Sequence, residues 1–138
     1  MPLGLVALLA TVTVAIPTSE VPKPPVIHEV FTQLPCPAHP MSTLAMEGCY
    51  EKAIVSTDRK INAEVRVIFG LLRSRDARST FVRGERSWLQ YRQASCSAQA
   101  SNYGHGTLGP LSTAACIVDR SKAHLRDLVA MRKVLAFH

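Results

Sequence analysis

The chain has 138 residues, with sixteen Lys plus Arg against ten Asp plus Glu, for a formal net charge of +6. That length fits one ordinary domain and excludes a large multidomain enzyme, and 47% apolar with 19% charged residues excludes a wholly disordered polyelectrolyte. The modest positive charge favours anionic surfaces such as acidic polysaccharide, lipid headgroups or nucleic acid.

Residues 1–15 carry no charged side chain and include Leu3, Leu5, Val6, Leu8, Leu9, Val12 and Val14. The run stops at Pro17, short of the roughly 20 apolar residues that span a bilayer, and reads as a secretory signal with a cut after Ala15. No Lys or Arg precedes it, so an uncleaved apolar anchor is the alternative reading. Seven of the nine prolines fall between Pro17 and Pro40. No regular helix survives that density, so residues 16–41 are expected to be an extended Pro-rich arm, a linker that holds the folded part away from a membrane or wall.

Helical periodicity begins at Ser42 and defines a domain over 42–138 to which Cys36 is tied. Met46, Tyr50, Ala53, Ile54, Ile61, Val65, Ile68, Phe69 and Leu72 place one stripe on one face of a first helix. Ser42 or Thr43 caps it, with Glu47 and Glu51 favouring its positive end. After a break at Ser74, Arg75 and Asp76, a second run aligns Ala77, Phe81, Gly84, Trp88, Arg92, Cys96 and Gln99. Asn102 to Gly109 is the clearest turn, with Gly104, Gly106 and Gly109, and Pro110 suits the first position of a third helix. That helix carries Leu111, Ala114, Ala115, Val118, Ser121, Leu125, Leu128, Val129 and Leu135. The expected fold is all-α, a small disulfide-stapled antiparallel three-helix bundle preceded by the arm.

The cysteine count is even, which in a small exported chain points to two disulfides. Cys96 lies ten residues before Gly106 and Cys116 ten after it. A hairpin turning there brings the two to one level, because the rise per residue is equal on both arms, and Cys36 is left to join Cys49. The rival reading is zinc on Cys36, His39 and Cys49, which lacks a fourth ligand nearby, so no metal is expected.

Ser95 or Cys96 with His105 or His124 would be the material for nucleophilic catalysis, but their spacing supports no such pairing, and no catalytic residue or cofactor is assigned. Arg73, Arg75, Arg78, Arg83, Arg86 and Arg92 crowd the second helix and its approach against only Asp76 and Glu85. Without interleaved exposed aromatics, and with export expected, no nucleic-acid partner is expected. A solvated basic face or an anionic wall or membrane polymer explains the arginines better. Arg92 needs an acidic partner, for which Glu47, Glu51 or Asp119 could serve from neighbouring helices, or it reaches a ligand at the bundle end.

Trp88-x-x-x-Arg92-x-x-x-Cys96, then Gly104-His105-Gly106-Thr107, then Cys116 on a helix with Leu125 and Leu128, with Cys36 and Cys49 upstream, resembles the lysozyme-inhibitor LprI-type N-terminal domain family over roughly 36–130. The resemblance implies a small, all-helical, exported bacterial domain whose namesake, a mycobacterial lipoprotein, inhibits lysozyme. The family commonly has Arg on its last helix where this chain has His124. Residues 88, 92 and 96 stack on successive turns of one face, which gives the motif a structural role first. Common lysozymes are basic, like this chain, so the candidate contacts are local: Tyr103 and His105 on the flexible turn, inserted into an active-site cleft, together with Arg92. The runner-up is an envelope module that holds anionic cell-wall or lipid polymers through the Arg-rich helix.

Overall fold

The computed structural model describes residues 20–137; the apolar segment 1–15 lies outside them. Three helices follow one another: α1 (Thr43–Leu71), α2 (Arg75–Ala100) and α3 (Leu108–Ala136), with a 3₁₀ turn at Ser101–Tyr103. The fold is all-α, and no strand occurs among the described residues.

Each helix start has a local cause. The Ser42 hydroxyl accepts from the Ala45 N–H at 3.1 Å and the Ser74 hydroxyl from the Ala77 N–H at 3.0 Å, which supplies acceptors the first turn of each helix lacks. Because α1 begins at Thr43, Glu47 and Glu51 fall beyond its first turn, and dipole compensation is not their role. The third helix starts at Leu108, so Pro110 stands at its third position instead of its first. The missing N–H is still harmless there, since no carbonyl one turn earlier would receive it. The turn before α3 depends on Gly104, whose φ of 62° lies in the left-handed region that side chains with a Cβ avoid.

The helices run up, down and up. α1 packs chiefly on α3, its parallel neighbour, and α2 also packs on α3. Two apolar clusters result. One gathers Ile54, Cys96, Ala114, Cys116, Ile117 and Val118, and the other Ile61, Val65, Ile68, Leu72, Phe81 and Leu128. On α1 the expected stripe is buried from Ile54 to Leu72, while Met46 and Tyr50 at its start are exposed. On α2 the buried set includes Val82 and Glu85, whereas the expected Gly84 and Gln99 face solvent. Glu85 sits inside because His124 on α3 meets it at 2.9 Å, which rotates the covered face toward that pair.

Two disulfides join Cys36 to Cys49 and Cys96 to Cys116. Cys36 and Cys49 are therefore unavailable as thiolate ligands, which removes the zinc alternative.

The Pro-rich segment is extended, as its prolines require, yet it does not stand off from the helices. Its backbone is docked on α1. The Ile27 N–H donates to Asn62 Oδ1 at 2.8 Å, and Asn62 Nδ2 donates back to the Ile27 carbonyl at 3.1 Å. The Leu34 N–H donates to Glu51 Oε2 at 2.6 Å. Phe31 packs against the first apolar cluster. At Gly48 the segment passes so close that an added Cβ would lie 2.3 Å from the Pro35 carbonyl oxygen, so only glycine fits. Residues 27–36 thus form a strap whose Ile27 and Leu34 amides find partners on α1, which is the reason a spacer reading fails for this stretch.

Candidate protein-binding surface

Between the two apolar clusters lies a polar band centred on Arg92, which is 5% exposed. Its Nη1 donates to Asp58 Oδ1 at 2.9 Å and to Ser121 Oγ at 3.0 Å, and its Nη2 to Glu29 Oε1 at 2.8 Å. One guanidinium therefore ties α2 to α1, α3 and the strap. The acids that hold it are Asp58 and Glu29, and Glu47, Glu51 and Asp119 are not among its partners; Glu51 is occupied by the strap amide of Leu34. Nor does Arg92 lie at the bundle end, so it does not reach a ligand there.

Burial pushes the Asp58 carboxyl up to about 7, with hydrogen bonding to Glu29 adding to the rise and Arg92 pulling the other way. At neutral pH the band then sets one guanidinium against the Glu29 carboxylate, with Asp58 holding its proton about half of the time. A buried arginine with one full counter-charge and two further acceptors is a structural pin. Among the described residues, Arg92 Nε and Asp58 Oδ2 are buried without a hydrogen-bond partner, and a cavity of about 350 Å³ lined by Ile27, Glu29, Asp58, Arg59 and Asn62 opens against the strap side of the band.

Trp88 and His124 continue the band. Their rings stack with centroids 3.8 Å apart and planes 12° from parallel, and the Arg92 guanidinium carbon lies 5.4 Å from the Trp88 ring centroid. His124 Nε2 also meets Glu85 Oε2 at 2.9 Å. A flat, nitrogen-bearing group that stacks on the indole and meets a carboxylate is what an arginine at that position would also provide. His124 is therefore engaged by Trp88 and Glu85, and Cys96 is held in a disulfide.

The end of the bundle at the α2–α3 turn is different. Gly104, His105, Gly106 and Thr107 are exposed, and Tyr103 is 48% exposed. No hydrogen bond or ion pair engages His105 among the described residues. Beside the turn a shallow groove of about 320 Å³ is lined by Met46, Tyr50, Gln99, Tyr103, Leu108 and Leu111. Leu108 is 52% exposed and Leu44 58%. A flexible methionine beside tyrosine rings at such a rim can adapt to an incoming surface, so this end offers an apolar groove next to an exposed turn. Tyr103 and His105 are thus together and accessible, whereas Arg92 is interior and separate from them. The groove residues Met46, Tyr50 and Leu108 escaped the sequence reading because the first two matched the core period of α1. Their place on the first turns of α1, beyond the level of the first apolar cluster, was the signal that they overhang the core.

The interior band contains Trp88, Arg92 and Cys96, and the turn contains Gly104 and Gly106, so the spacing pattern is a pattern of scaffold positions. The family model described as lysozyme inhibitor LprI matches residues 36–128, from the strap cysteine to the last buried leucine of α3. No curated protein and no solved structure matches the chain. Two disulfides and an inhibitor family both suit an oxidising compartment outside the cytoplasm. By a match that spans most of its length and reaches all three helices, the chain belongs to the lysozyme inhibitor LprI family.

Proposed function

We propose that this protein is an exported, non-catalytic inhibitor of a lysozyme-type glycoside hydrolase and that it acts by placing the turn Ser101–Thr107 in the enzyme's cleft. The observation that carries the reading is the family match together with an exposed turn that adjoins a groove lined by Met46, Tyr50, Leu108 and Leu111. Tyr103 supplies a rigid amphipathic ring for the saccharide subsites, and His105 supplies a ring nitrogen for the acidic residues such clefts contain. The groove beside them offers apolar area to the cleft's rim. Residues 1–15 serve as the export signal in this reading, and the destination is the periplasm, the cell envelope or the medium.

The test is a titration of lysozyme turnover on a soluble, uncharged oligosaccharide with the oxidised chain. Stoichiometric inhibition is expected, and a Tyr103→Ala/His105→Ala double variant should raise the concentration needed by about a hundredfold, as for loss of two interface anchors. No inhibition across lysozymes of several classes would overturn the reading. Full potency in the double variant would move the contact elsewhere.

A further inference from the structure

Folding separates the charges of this chain. Thirteen of the sixteen Lys and Arg side chains are exposed, with only Arg78, Arg92 and Arg132 wholly or partly covered. Of the ten acids, only Glu20, Asp76, Asp119 and Asp127 are exposed. Glu29, Glu51, Asp58, Glu64 and Glu85 are drawn into partnerships with Arg92, the Leu34 amide, Arg132 and His124. The outer surface is consequently more basic than the formal charge of the sequence suggests.

Part of that charge is ordered. Lys52, Arg59 and Arg66 stand seven residues apart on α1, all exposed. Seven residues return to nearly the same face and advance about 10.5 Å, so the three form a straight row about 21 Å long. No acid stands three or four residues from any of them, and none forms an ion pair among the described residues. Exposed Ser56, Ala63 and Gly70, each four residues beyond a basic one, run alongside and leave the row unobstructed. A lone basic side chain on a helix is a solvated charge. Three in register, with no acid one helical turn away and the nearby Glu29 and Asp58 engaged by Arg92, form a line of positive potential matched to a linear polyanion. The row has no exposed Trp, Phe or Leu beside it to enter acyl chains, which argues for a polysaccharide over a lipid surface.

We infer that the Lys52–Arg59–Arg66 row is a second binding surface, distinct from the turn, that holds the protein on the carboxylate-bearing glycan of the cell wall. The choice of that polymer rests on the inhibitor reading, since it is the substrate on which a lysozyme acts. Side branches carrying carboxylates once per disaccharide present charge at an interval comparable to the spacing of the row. Retention there concentrates the inhibitor where the enzyme works and lays positive charge on the anionic surface that a basic lysozyme must approach.

The experiment is co-sedimentation of the oxidised chain with insoluble peptidoglycan, with chitin as the uncharged glycan and with anionic phospholipid vesicles, over a range of salt. Expected are retention on peptidoglycan that falls as salt rises, and none on chitin. A Lys52→Glu/Arg59→Glu/Arg66→Glu variant should bind about tenfold more weakly, whereas Lys60→Glu/Arg126→Glu/Lys133→Glu, with the same net charge, should be retained like the parent. Equal loss in both variants, salt-independent retention, equal retention on chitin, or preference for vesicles would each overturn the assignment. The salt series on the parent chain stands even if a variant does not fold. Inhibition on the soluble uncharged substrate, read in parallel, should be the same for the row variant and the parent. Its absence in the parent would sink the inhibitor reading and leave wall retention standing, and loss of retention with inhibition intact would do the reverse.

Discussion

The band around Arg92 and the turn around His105 use polar residues in opposite ways. In the band the polar side chains pair across elements: Arg92 with Glu29 and Asp58, His124 with Glu85. In the turn Tyr103 and His105 face solvent with no such partner among the described residues, held only by the glycine-dependent backbone beneath them. The residues that identify the family mostly belong to the first group. Those residues establish the scaffold, and the exposed ones lie in and beside the glycine turn.

That contrast is broken most severely at Arg92. Arg92→Ala leaves Glu29 and Asp58 beside each other without the guanidinium and releases the strap from α2. A loss of about 3–5 kcal/mol is expected in urea denaturation, as for removal of one partner of a buried ion pair. A loss below 1 kcal/mol would show that the band is not a pin.

Gly48→Ala comes next. Its Cβ would lie 2.3 Å from the Pro35 carbonyl oxygen, which belongs to backbone and cannot swing aside. The strap must lift, at a cost of about 1–3 kcal/mol. Hydrogen exchange should accelerate at the Ile27 and Leu34 amides, which the strap contacts protect, and unchanged exchange there would count against the docked strap.

Asp58 gives the band a pH signature. Its carboxyl is raised from 3.8 to about 7 in the fold, so between those values the folded state keeps a proton that the unfolded chain has lost. The contribution of this group to stability therefore declines as pH rises through that window and reaches its full penalty above about 7. Asp58→Asn keeps an acceptor for Arg92 and cannot ionise, so its thermal midpoint should fall less than the parent's between pH 4 and 8. Parallel pH profiles would contradict the assignment.

How far the sequence alone leads differs along the chain. Apolar spacing, Ser42 and Ser74 as caps, and the glycines after Asn102 are local signals, and they place three helices and a hairpin whose geometry pairs Cys96 with Cys116. The docked strap has no such signal. Prolines specify an extended backbone but not where it lies, and its contacts join residues 35 and 63 positions apart, Ile27 with Asn62 and Glu29 with Arg92. Asp58 was open to recognition as the partner of Arg92, since it stands four residues after Ile54 and three before Ile61, in the middle of the buried stripe. The acids considered instead, Glu47, Glu51 and Asp119, lie nearer the bundle end or on its outer face. Val82 and Glu85 were hidden because the covered face of α2 is set by His124 on another helix.

At the turn the smallest effect on stability is expected. Tyr103→Ala and His105→Ala should each change unfolding free energy by no more than about 0.5 kcal/mol, because neither side chain is buried. A larger loss would mean the turn also supports the scaffold.

The most direct measurement is deuterium exchange of the oxidised chain, free and saturated with an inhibited lysozyme. Slowed exchange confined to Ser101–Leu111 and the first turns of α1 would place the partner on the bundle end, as this account requires. Slowing centred on Trp88–Cys96 and the strap, with the turn unaffected, would contradict it.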